Sequence, residues 1–250
     1  MSRNAPNIMR GIVGALALTL LAVPVGALAY RVQPLIAYLT PSGAGSSTKL
    51  VLSNTEATPI TLELTPLSVT VGPDGQAERV PEDSDLLVFP PQTIIPPGRE
   101  QVVQVRYVGA PDIATARIYG VRISQLPVAM SAPTDAQTGT DLKVGVDFIS
   151  HLIVQSDGME AALNLGPSER TEDGGLRAPI TNAGSGVAIG SDLVWMLTDA
   201  NGATRRVTNE GAKLDGFGAV MNDGVARTVS FSADAVRGLE GDVSVVVAAP

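Results

Sequence analysis

Leu142-Lys143-Val144-Gly145-Val146-Asp147-Phe148-Ile149-Ser150-His151-Leu152-Ile153-Val154 is the stretch on which the reading of the chain turns. Leu142, Val144, Val146 and Phe148 take every second position, with Lys143, Gly145 and Asp147 between them. Alternate side chains of a β-strand point to opposite faces, so the pattern predicts one continuous apolar row. Ile149 and Ile153 then make the later part apolar on both faces. The strand is expected to be half covered at its start and buried in a core at its end. Two readings of the row compete. Either it packs the core of its own sandwich, or its first half is offered to a partner.

The residues upstream alternate in the same way. Pro59 to Leu67 sets Ile60, Leu62 and Leu64 against Thr61, Glu63 and Thr65, and Gln101 to Val108 sets Val103, Val105 and Tyr107 against Gln104 and Arg106. Arg117 to Ile123 sets Tyr119, Val121 and Ile123 against Gly120 and Arg122. Tyr30 to Leu39 (interrupted by Pro34), Lys49 to Ser53 and Leu86 to Phe89 are further strand candidates. Turn signals separate these segments, such as Gly72-Pro73-Asp74-Gly75 and Ile95-Pro96-Pro97-Gly98, whose prolines cannot donate to a central ladder. The result is an all-β expectation, with about seven strands in the first 125 or so residues after Leu28, the count and spacing of an immunoglobulin-like sandwich. Ser156-Asp157-Gly158 breaks the pattern. A boundary is expected there, between residues 30–155 and a second, smaller β-sandwich over residues 156–250, with a hairpin signal at Asp199-Ala200-Asn201-Gly202.

The N-terminus carries Arg3 and Arg10, an apolar run from Gly11 to Val23, and Ala27-Leu28-Ala29. This order is that of a secretory signal peptide over residues 1–29, with cleavage expected before Tyr30. The run is short for a bilayer span and ends in Pro24 and Gly26, so no membrane insertion is expected after cleavage. Losing Arg3 and Arg10 takes the formal net charge from −8 to −10. An acidic chain whose only lysines are Lys49, Lys143 and Lys213 matches neither a phosphate backbone nor an anionic membrane surface, and nucleic acid is excluded as a partner. With no cysteine, disulfides, Cys-based zinc sites and thiol chemistry are excluded too.

Little in the chain points to catalysis. A Ser-His-Asp arrangement would have to use His151, the sole histidine, which sits in an apolar strand, and there is no Gly-x-Ser-x-Gly elbow. No Gly-x-x-x-x-Gly-Lys-Ser/Thr loop is present for ATP. The acidic groups Glu82, Asp83, Asp85 and Glu169, Glu172, Asp173 lie in polar, turn-like segments without calcium-loop spacing and read as solvated loop charge. No catalytic residue, metal or cofactor is expected.

A family resemblance enters through motifs in a fixed order. They are Leu50-Val-Leu-Ser-Asn-Thr55 with Pro59-Ile60, Leu87-Val-Phe-Pro-Pro91, Ile95-Pro-Pro-Gly98 with Val102 to Arg106, and Ile123-Ser-Gln-Leu-Pro127, followed by a long loop into the strand that ends at Val154. In this order they resemble the periplasmic pilus chaperones, the PapD-like family, over residues 30 to 155; the second half resembles the family only in size and texture. The resemblance implies a periplasmic, ATP-independent chaperone of pilus assembly, whose last first-domain strand is lent to a subunit lacking the final strand of its own sandwich, the mode called donor-strand complementation. On that reading Leu142, Val144 and Val146, with Phe148 as a fourth residue, fill the subunit's groove. The implied partners are pilus-type subunits and an outer-membrane usher, with self-association through the donor strand.

The chain departs from the family where the subunit's C-terminal carboxylate is held. Members use an Arg on the first strand and a Lys near the end of the donor strand. Here Ile36 stands at the Arg position and His151 at the Lys position. His151 is therefore the candidate anchor, with Arg122 or Arg117 on the neighbouring strand to supply the missing cation; the competing role of His151 is a strand histidine satisfied within the fold. The competing function is a structural or adhesive immunoglobulin-like exported protein that keeps the row in its own core.

Overall fold

The computed structural model of the protein describes residues 30–72, 74–126, 146–222 and 224–248. Leu142 and Val144, and the expected signal peptide, lie outside these residues. Alternating segments become strands wherever one of their faces finds a core. Pro34 splits the first segment into β1 (Tyr30–Gln33) and β2 (Ile36–Leu39), and the two halves join different sheets. β1 pairs antiparallel with β3 (Ser47–Asn54), whereas β2 pairs in parallel with β10 (Asp147–Val154).

The first sheet runs β1-β3-β8-β6, with β6 at Leu86–Phe89 and β8 at Glu100–Tyr107. The second runs β2-β10-β9-β4-β5, with β4 at Ile60–Val71, β5 at Ala77–Pro81 and β9 at Arg117–Leu126; β7 (Gln92–Ile95) also pairs with β4. Between them Leu50, Leu52, Val103 and Val105 meet Leu62, Leu64, Val121, Ile123, Leu152 and Val154 in one buried core. Among the described residues ten strand segments build this sandwich, where the sequence predicts about seven. The extra count comes from the split at Pro34 and from β5 and β7. The last two pair through backbone with β4, which requires no apolar alternation, and their side chains are mostly outside the core.

The second sandwich sets β11 (Leu163–Leu165), β13 (Leu176–Asn182), β19 (Arg227–Phe231) and β17 (Ala212–Leu214) in that order, with β12 (Glu169–Arg170) beside β13. Opposite lie β16 (Thr204–Val207), β15 (Trp195–Asp199) and β20 (Val243–Val247), and β14 (Ala188–Ile189) pairs with β18 (Ala219–Val220). Trp195 is buried, with its ring edge-on to Phe231 at 5.6 Å. Each sandwich uses one buried asparagine as a loop clamp. Asn54 donates to the Thr58 and Ile95 carbonyls and accepts from the Glu56 amide, and Asn182 donates to the Gly186 and Val220 carbonyls. Among the described residues no helix is long and apolar enough to cross a membrane.

Candidate functional site

β10 is covered unevenly. β9 pairs with it along its whole length, Asp147 to Val154, but β2 pairs only with His151 to Val154. From Asp147 to Ile149 no described strand lies on the second side, whereas at Ser150 the buried hydroxyl already donates to the Pro34 carbonyl. The His151 amide donates to the Leu35 carbonyl on the β2 side. Backbone groups reverse direction at each residue of a strand, so the N–H and C=O of Asp147 and Ile149 face that same, uncovered side. An open edge of this kind is a template for pairing with another chain.

The side chains of the expected row follow the phase of the core. Phe148, Ser150, Leu152 and Val154 share a face, with Leu152 and Val154 fully buried and Phe148 half-buried against the core cluster. The Phe148 ring lies 4.9 Å from Tyr30, edge-on. The Tyr30 hydroxyl is 2.6 Å from the Val146 carbonyl and 2.7 Å from that of Ile123, so its one proton is shared between the start of β10 and β9. Burial, with Asp147 nearby, pushes the Tyr30 hydroxyl up to about 12. Val146, half-buried, is the first residue of the row among the described residues.

The opposite face of β10 carries Ile149, His151 and Ile153 toward the second sandwich. His151 stands directly opposite Ile36 in the register, so the two positions that differ from the family's anchor are brought side by side. With Ile118, Ile153, Ile189, Phe217, Gly218 and Ala219 they line a cleft of about 200 Å³ between the sandwiches. His151 packs edge-on to Phe217 at 5.3 Å, and its Nε2 is buried with no hydrogen-bond partner among the described residues. Burial, reinforced by Arg79, lowers its pKa and holds the ring neutral at pH 7. Arg79 itself lies over the Phe217 ring, 5.9 Å from its centroid.

The other candidate cations lie elsewhere. Arg122 is opposite Ile149 and Thr65, two positions along β9 from Gly120, the partner of His151, and does not line the cleft. Arg117 lies 3.7 Å from Asp85, whose carboxylate also accepts from the Tyr119 hydroxyl. The acidic loop groups serve local turns: Glu82 accepts from Ser84 and Asp85, and Asp173 from Thr171 and Gly175. Phe217, Ile189 and Arg79 escape sequence reasoning. The only signal was an aromatic in Gly216-Phe217-Gly218, a stretch without strand periodicity.

No family model and no curated protein matches the sequence. Solved structures do resemble the fold. A chain of the Salmonella enterica SafA pilin–SafB chaperone complex superposes with a TM-score of 0.52 at 16% identity, covering 88% of this chain and 90% of that one. A chain of the chaperone–tip adhesin complex of CFA/I fimbriae biogenesis gives 0.52 at 11% identity, covering 88% and 94%. The YadV chaperone gives 0.51 at 13%, covering 88% and 92%. Two sandwiches, a first strand divided between sheets and a long last strand beside it make this chain a divergent example of the fimbrial-chaperone fold.

Proposed function

We propose that the protein is a periplasmic chaperone that binds incomplete pilus-type subunits by lending them the apolar row Leu142, Val144, Val146 and Phe148, which runs into the start of β10. The observation that carries this reading is the edge left uncovered by any described strand at Asp147 and Ile149, continuous in sequence with the apolar row Leu142, Val144 and Val146. A subunit missing one strand exposes both unpaired backbone and an apolar groove, and this strand offers a match to each. Phe148 then acts chiefly as the wedge that seats the strand on its own sandwich. Binding by pairing and burial needs no catalytic group, ATP or cofactor. Residues 1–29 serve as the export signal, residues 30–155 as the subunit-binding sandwich and residues 156–250 as the second. An outer-membrane usher would receive the complex, and self-association through the same edge would protect the row when no subunit is bound.

The half-buried Phe148, in phase with the core, favours the second reading, a structural or adhesive immunoglobulin-like module. One experiment separates the two. Tagged protein and its Val146→Asp variant are used to capture partners from a native periplasmic extract, and the recovered chains are identified by mass spectrometry. A carboxylate buried in a subunit groove without a partner costs several kcal/mol. The wild type should therefore recover small, β-rich exported chains that the variant loses by about tenfold or more. Recovery of the same chains by both, or of none by either, gives the structural reading.

A further inference from the structure

We propose that the cleft between the sandwiches takes an apolar side chain of the bound subunit, not its carboxylate; this rests on the chaperone reading above. The lining is Ile36, Ile118, Ile153, Ile189, Phe217 and Ala219 with Gly218, and the one titratable side chain among them is His151. A carboxylate entering this cleft would leave water for apolar walls and meet a neutral imidazole, a transfer that costs several kcal/mol without a paired cation. Arg79 is not part of the lining: its guanidinium lies over the Phe217 ring, and its charge reaches His151 only to reinforce the neutral imidazole. The volume of about 200 Å³ suits one side chain of leucine or phenylalanine size, since apolar cavities of about 150 Å³ stay dry and admit benzene.

One further feature brings a subunit chain here. The open edge of β10 ends where β2 begins, and β2 begins at Ile36, a cleft-lining residue. A chain paired along Asp147 and Ile149 therefore meets the cleft at its end.

The test uses fluorescein-labelled peptides of alternating Val and Thr, ending in Leu as amide or free acid, or in Ser as amide, with affinity read by fluorescence anisotropy. Gly218→Leu is the filling variant, because Gly218 lines the cleft and a Cβ there meets nothing within 4 Å. Ile36→Arg, at a position 42% exposed, introduces the absent cation. The Leu amide should bind the native protein at least as tightly as the Leu acid and about tenfold more tightly than the Ser amide. Gly218→Leu should bring the Leu peptides down to the Ser level, and Ile36→Arg should turn the preference toward the acid. If Gly218→Leu loses its cooperative thermal transition, Ile36→Arg decides alone. A tenfold preference of the native protein for the acid, unchanged Leu affinity in Gly218→Leu, or no change of preference in Ile36→Arg overturns the cleft assignment. The chaperone reading survives those results if Val146→Asp still abolishes binding. Failure of every peptide to bind the native protein overturns both.

Discussion

At the scale of single residues, two buried polar groups set the condition of β10. The Tyr30 hydroxyl bridges the carbonyls of Val146 and Ile123. Tyr30→Phe keeps the ring contact with Phe148 and removes only the shared proton, leaving two carbonyls without that donor. The expected loss is about 1–2 kcal/mol of unfolding free energy, measured by urea denaturation; an unchanged midpoint would mean water replaces the hydroxyl. His151 gives a pH signature. Its pKa is lowered from 6.5 in the folded state by burial and by Arg79, so below 6.5 the unfolded chain binds the extra proton first. Stability from this group is complete above that value and falls as pH drops through it toward the folded pKa. Thermal midpoints measured from about pH 7 to about pH 5 should decline in the native protein and flatten in His151→Gln. Neither role was legible in sequence. The position of His151 on an apolar strand could be read, but Phe217 and Arg79 reach it from 66 and 72 positions away, through pairings that no local pattern encodes.

Among the elements, legibility followed burial. β3, β4, β8 and β9 bury one face in the core, and their alternation shows it. β5 and β7 pair through backbone with the edge of β4 opposite β9, at Leu67–Val71 and Ile60–Glu63, so their own residues carry little signal. The same limit applies to β10. Its buried second half was evident from Ile149 to Val154, whereas the edge left open beside it depends on where β2 starts, after Pro34. The side-chain clamp on these elements is Asn54, at the end of β3, whose amide reaches the Ile95 carbonyl on β7. Asn54→Ala would leave that buried carbonyl and the Thr58 carbonyl without their side-chain donor and release the Glu56 amide. A loss on the order of 2 kcal/mol or more is expected in chemical denaturation, with faster hydrogen exchange at residues 54–58.

For the whole molecule, the decisive quantity is how firmly the two sandwiches fix the cleft between them. Val69, Ile118 and Ala219 form a small buried cluster there, with Ile189, Phe217 and Met221 packed against it. The Phe217 amide donates to the Gly75 carbonyl at 2.7 Å, and the Ala116 amide to the Ser185 carbonyl at 2.8 Å. Gly216 makes the first of these contacts feasible. It has φ +74°, and a Cβ there would stand 2.2 Å from the Gly75 oxygen. Gly216→Ala therefore carries both a left-handed backbone penalty and a clash with main chain that cannot swing aside. The chain's cheapest relief is to part the β4–β5 turn from residues 215–217, which withdraws Phe217 from His151 and opens the cleft. Each sandwich keeps its own core, so the variant should stay folded while its radius of gyration in small-angle scattering increases. Leu-ended peptides should weaken by about tenfold, as in the filled cleft. Wild-type scattering together with wild-type affinity would mean that the sandwiches are held by the apolar cluster alone and that the Gly75–Phe217 hydrogen bond contributes nothing to the geometry of the site.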